Sequence, residues 1–163
     1  ITQIELAVDL LSGNLCQSVL IDTDLPWDSH ADNFSDQNGN FNSLFTGLSY
    51  LADLLGRSAL QEEVLVVVLS EFTRTPKLNA DDGKDHWPVA SALLFGAGIA
   101  GGRTIGQTND TLGADPVDLS TGQYDADGVV PDYGNLIAGI LDAAGVEPSA
   151  YLPDATPLSL IHI

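Results

Sequence analysis

The chain has 163 residues, 44% of them hydrophobic, which is enough for one domain with a core and too apolar for a disordered segment. Its 23 acidic against 5 basic residues give a net charge of −18. That surface repels nucleic acid and anionic membranes, suits an exported or salt-rich setting, and admits an anionic ligand only where local cations or a bound metal reverse the field.

Methionine is absent, and the first residues already read as a helix, with Ile1, Ile4, Val8 and Leu11 at helical spacing and Gly13 as the stop. The expectation is a segment of a larger protein with its upstream part missing. No signal peptide or membrane span is visible in these residues, which with the upstream part missing carries no inference. Cys16 is alone and reads as a buried structural thiol. Residues 18–21, Ser-Val-Leu-Ile, predict a short strand that runs into the polar stretch 22–30. Phe41, Leu44, Phe45, Leu48, Leu51 and Leu55 mark the longest helix. The continuous apolar run Val64-Leu-Val-Val-Val-Leu69 predicts a strand covered on both faces. Residues 89–95 predict another, closed by Gly96-Ala-Gly98, and residues 103–106 a short edge strand. The stretch 96–102 has the glycines of a nucleotide-binding fingerprint but no helix signal after it, so it reads as a turn. Residues 107–131, rich in Asp, Gly and Thr, predict a long surface loop. Asp36-Gln-Asn-Gly39 and Asp125-Ala-Asp-Gly128 miss the calcium-loop register and read as turns. The last helix spans Tyr133 to Leu141, with Asp132 as its N-cap and Gly145 as its stop.

Helices alternating with buried strands predict an α/β fold, a mainly parallel sheet flanked by helices. Ligands in such sheets bind beyond the carboxyl ends of the strands. The polar clusters 22–30 and 71–87 each follow a predicted strand, so they are expected together at one edge.

Those clusters carry the candidate chemistry. Asp28 and His30 lie two residues apart in a loop and suit zinc or a similar ion. Asp85 and His86 offer a second carboxylate and imidazole. Glu71 follows a buried strand directly, where a carboxylate must be paired or metal-bound. In isolation, Asp28 reads as a turn former and His30 as a solvated residue; the convergence of the clusters favours a metal site. Three of the five cations, Arg74, Lys77 and Lys84, fall in the 71–87 loop. The planar fork of Arg74 suits two oxygens of a phosphate or sulfate, against the plainer reading that it neutralises Glu71. Lys77 and Lys84 read as solvated, and His162 as a frayed-end residue.

Val66-Val-Val-Leu-Ser-Glu-Phe-Thr-Arg-Thr-Pro76, then Asp85-His-Trp-Pro88, preceded by Trp27-Asp-Ser-His30, closely resembles the bacterial DUF1501 family. That family is placed in the alkaline phosphatase/sulfatase superfamily. The resemblance covers most of the chain and rests on three motifs in order, of which Glu-Phe-x-Arg-Thr-Pro is the most distinctive. Thr73 and Pro26 stand where the family usually has glycine. The resemblance implies residues 1–163 as a single C-terminal portion of an alkaline phosphatase-like domain. Asp28 and His30 match the metal pair after one strand, Glu71 the acid ending the next, and His86 the later histidine. Many relatives carry Asp-His where this chain has Glu71-Phe72. Asp85 is expected as a ligand or as the group that orients His86.

The resemblance also implies a metal-dependent hydrolase of phosphate or sulfate esters. Its divalent ion would be zinc, with calcium or manganese as alternatives, and Arg74 would be the catalytic residue on the anion. The nucleophilic Ser or Thr would lie in the upstream part of the same protein. The expected substrate is a small anionic ester, and the expected location is periplasmic or extracellular. The rival reading is a non-catalytic exported protein of the same family whose metal is structural.

Overall fold

The computed structural model describes residues 2–160; Ile1 and His162 lie outside them. The element order is α1 (Thr2–Ser12), α2 (Asn33–Gly56), a short 3-10 turn (Ala59–Glu62), β1 (Leu65–Val68), β2 (Thr73–Arg74), β3 (His86–Trp87), β4 (Leu93–Gly96), α3 (Tyr133–Ala143) and a second 3-10 turn (Pro148–Ala150).

The described residues separate into two compact units. One holds the chain through Val64 together with Ser70–Ala90; the other holds Leu65–Leu69 and the residues from Ser91 on.

In the first unit α1 packs on α2 and on the Ala59–Glu62 turn. Ala7 and Leu55 are buried there. Tyr50 of α2 donates its hydroxyl to Glu5 of α1 at 2.7 Å. The left-handed residue that ends α1 is Asn14 (φ 52°), not Gly13; asparagine tolerates that conformation because its short amide bonds locally. α2 begins eight residues before the apolar stripe that announced it. It therefore absorbs residues 36–39, which the sequence reads as a turn. The stripe is less buried than its spacing predicts: Phe41 and Phe45 are exposed, and Trp27 sets its ring edge-on to Phe41 at 5.1 Å. Residues 18–21 form no strand, and Leu20 is 94% exposed. An apolar run becomes a strand only where a second run supplies its hydrogen bonds. Cys16 is half-buried rather than buried.

In the second unit β1 and β4 pair antiparallel, with Leu65 opposite Gly96 and Val68 opposite Leu93. β1 is half-buried along its length, short of the two-sided cover its β-branched run predicts. β2 and β3 pair antiparallel within the first unit. The pairings are nested in sequence, β2–β3 lying inside the segment that joins β1 to β4. Among the described residues every strand pairing is antiparallel. Residues 103–106 form no edge strand.

The core of the second unit draws on a stretch that reads as surface loop. Val117 is fully buried and Leu119 nearly so, and they pack with Leu158 and Leu160. Val117 exchanges backbone hydrogen bonds with Val129 at 2.8 and 2.9 Å, so residues 107–131 fold over their own apolar members. Asp125-Ala-Asp-Gly128 is an ordinary turn: the Asp127 amide donates to the Asp125 carboxylate and the Gly128 amide to the Asp125 carbonyl. α3 carries the expected cap. Asp132 accepts from the Asn135 amide at 2.9 Å, and the Asn135 side chain accepts from the Asp132 amide at 3.0 Å. Gly145, at φ 72°, follows the helix end.

Candidate metal centre

The site is built from two loops of the first unit stitched along their backbones. The Lys84 amide donates to the Ser29 carbonyl at 2.9 Å and the Asn33 amide to the Asp82 carbonyl at 3.0 Å, with a bridge between Ala31 and Asp82. Asn79 donates its side-chain amide to the His30 carbonyl at 3.0 Å. This stitching requires glycine at position 83. A Cβ there would collide with the His30 carbonyl, so any side chain pushes the loops apart.

α2 fixes the 26–30 loop from the other side. Asn33, Gln37 and Asn40 recur at i, i+4 and i+7, one face of the helix. Ser29, fully buried, donates its hydroxyl to Asn33 at 2.9 Å and accepts from Gln37 at 2.8 Å. Gln37 also donates to the Trp27 carbonyl, and Asn40 to the Pro26 carbonyl at 2.8 Å. The sequence reading missed this polar face; its signal was the amide spacing, hidden by reading residues 36–39 as a turn.

Held in this way, Asp28, His30 and His86 each offer a ligand atom, and the three atoms lie within 4.8 Å of one another. All three residues are exposed. β2 and β3 add the remaining groups, because Arg74 pairs with His86 across their ladder. Arg74, with only 12% of its side chain exposed, donates from Nη2 to Asp28 Oδ1 at 2.7 Å. Its Nη1 lies 3.3 Å from His30 Nε2 and donates to the Lys84 carbonyl at 3.1 Å. The guanidinium also lies over the Phe72 ring, 5.3 Å from its centroid. Phe72 in turn stacks on His86 at 4.0 Å, and His86 lies 5.3 Å from His30.

Both ring nitrogens of His30 face carboxylates, Nε2 at 3.1 Å from Asp28 Oδ1 and Nδ1 at 3.1 Å from Asp85 Oδ1. Arg74 has donors only, so its 3.3 Å contact with Nε2 is a hydrogen bond in the tautomer with a lone pair there, whereas a proton on Nε2 would go to Asp28 Oδ1. In the tautomer with the Nε2 lone pair, Nδ1 carries the proton and donates it to Asp85 Oδ1, 3.1 Å away. A carboxylate holding Nδ1–H while Nε2 faces the site is the arrangement that prepares histidine for a metal. The Arg74 hydrogen bond holds the Asp28 carboxyl below the ordinary carboxylate range. Hydrogen bonds from His30 and then Asn79 do the same for Asp85.

The expected residues thus converge in part. Asp28, His30, His86 and Arg74 come together, and Asp85 sits behind His30 rather than behind His86. Glu71 stays outside the group and is exposed, so its carboxylate needs neither the metal nor the Arg74 partner that burial would have demanded. Arg74, the cation expected to neutralise Glu71 on the plainer reading, pairs instead with Asp28. Neither Thr73 nor Pro26 takes positive φ, so the residues standing in for glycine carry no backbone strain.

No helix among the described residues is long and apolar enough to cross a membrane. No curated protein and no solved structure matches the chain. The family described as "Protein of unknown function (DUF1501)" matches residues 7–131, a span that contains every member of the candidate centre. With well over half of its 163 residues covered, the chain belongs to the DUF1501 family.

Proposed function

We propose that this chain is the C-terminal portion of a metal-dependent hydrolase of phosphate or sulfate esters, of the alkaline phosphatase/sulfatase-like superfamily. In this reading a mainly parallel sheet is completed by strands from the upstream part of the same protein. The observation that carries it is the convergence of Asp28, His30 and His86 ligand atoms within 4.8 Å, with Arg74 across them. The donor set fits a divalent ion, zinc first: one carboxylate oxygen and two imidazole nitrogens, with Asp85 placed to hold Nδ1–H of His30. A guanidinium on Asp28 and His30 is a stand-in cation that marks the polarity of the place.

Asp28, His30 and His86 hold the ion, and Asp85 orients His30. Bound there, a divalent ion supplies Lewis-acid polarisation of an ester oxygen. Arg74 supplies charge and a planar fork for the non-bridging oxygens of a small anionic ester. Ser70 is poorly placed as a nucleophile, since its hydroxyl donates to the Phe72 carbonyl at 2.7 Å; the nucleophile belongs to the upstream part. The acidic surface supports a periplasmic or extracellular location. The exposure of all three ligand side chains favours the second reading, a structural metal on a non-catalytic exported protein.

Metal content of the purified chain tests the centre. Zinc bound by the wild type should be lost in the double variant His30→Ala/His86→Ala; unchanged stoichiometry refutes the assignment.

A further inference from the structure

We propose that Arg74 and a divalent metal ion compete for the same two side chains, Asp28 and His30, so that metal binding releases Arg74 to hold an oxyanion. The inference rests on the metal-centre reading above and adds an order of binding to it: cation first, anion second.

Asp28 and His30 are two of the three residues that would hold the ion. Both are already engaged by one guanidinium, Asp28 Oδ1 by Nη2 at 2.7 Å and His30 Nε2 by Nη1 at 3.3 Å. Asp28 keeps further lone pairs, but the one lone pair of His30 Nε2 cannot serve Arg74 and a metal at once. A divalent charge beside those atoms also repels a guanidinium. The arginine therefore acts as an internal counter-cation that keeps Asp28 and His30 paired while no metal is bound.

Release does not set the side chain loose. Nη1 keeps the Lys84 carbonyl at 3.1 Å, and the guanidinium keeps the Phe72 ring beneath it. What becomes free is the Nη2 edge, next to the centre. A half-buried guanidinium with one edge anchored and the other newly unpartnered is pre-organised for two oxygens of a tetrahedral anion. The chain's acidic surface excludes such an anion until this happens, because Asp28 and Asp85 line the same place. Metal and oxyanion then bind with positive coupling, and the coupling is reciprocal.

Calorimetric zinc titrations of the full chain at fixed ionic strength, in chloride and in sulfate, test the proposal. Arg74→Ala should bind zinc about five- to tenfold more tightly than the wild type in chloride, the scale of one charge-assisted hydrogen bond removed from competition. Sulfate should tighten zinc binding to the wild type severalfold and leave Arg74→Ala unaffected. The wild-type comparison needs no variant, so it stands even if Arg74→Ala folds poorly: zinc affinity indifferent to sulfate overturns the coupling. Zinc affinity equal or weaker in Arg74→Ala, with binding still abolished by Asp28→Ala, overturns the competition and leaves the metal centre intact. Zinc bound by neither wild type nor Arg74→Ala overturns both.

Discussion

Gly83 carries more of the candidate centre than any ligand does. Its backbone lies against that of His30 so closely that a methyl group has nowhere to go. Gly83→Ala should therefore cost about 1–3 kcal/mol, the usual penalty for overpacking, and should shift the imidazole resonances of both His30 and His86. Chemical denaturation and proton NMR check the two halves; an unperturbed His30 signal would show that the loops are not held by this contact. Asp118 offers a cleaner acid than the centre's own. Its Oδ1 accepts from the Ser120 hydroxyl and the Ser120 amide, each at 2.7 Å, and these bonds lower its pKa from the ordinary 3.8. A depressed carboxylate stabilises the fold above its unfolded value, and that contribution disappears as pH falls through the lower folded value. Thermal melts below about pH 5 should thus fall less steeply in Asp118→Asn than in the wild type. Parallel acid limbs in the two proteins would remove Asp118 from the account.

At the scale of elements, α2 serves both as packing and as scaffold. Its Asn33, Gln37 and Asn40 face grips the 26–30 loop, so the helix fixes where Asp28 and His30 stand. β2 and β3 are only two residues each, yet their pairing sets Arg74 opposite His86. α3 depends on its reciprocal cap, which satisfies amides the first turn would otherwise leave open. Asp132→Ala should cost about 1 kcal/mol and Asp132→Ser much less, measured by urea denaturation with the slope unchanged. Equal losses in both variants would mean that the side chain matters for packing and not for the cap.

For the whole molecule the decisive quantity is charge. Even the loop that concentrates Arg74, Lys77 and Lys84 holds four acids, Glu71, Asp81, Asp82 and Asp85, against those three bases. An anion is admitted there only where local cations or a bound metal tip that balance. The proposed division of labour has a direct consequence. The isolated 1–163 chain, supplied with zinc, should turn over neither generic phosphate esters nor generic sulfate esters, because no Ser or Thr among the described residues stands at the centre with a base to activate it. Turnover abolished by Ser70→Ala would place the nucleophile in this segment after all.

The sequence by itself determined the two terminal helices, the long middle one, the apolar runs of β1 and β4, the Asp132 cap and the residue types of the centre. Those are local properties: periodicity, capping chemistry and side-chain identity act within a few residues. It also placed the 22–30 and 71–87 clusters side by side, although through strand ends of a parallel sheet. What joins them among the described residues is backbone stitching around Gly83 and the amide face of α2. Only the tertiary structure decided which run found a strand partner: residues 65–68 did, and residues 18–21 did not. It also decided that Val117 and Leu119 of an Asp- and Gly-rich stretch are core, that Arg74 pairs with Asp28 and not Glu71, and that Asp85 serves His30. Each of these depends on which distant segment arrives opposite, and long-range pairing leaves no trace in local pattern.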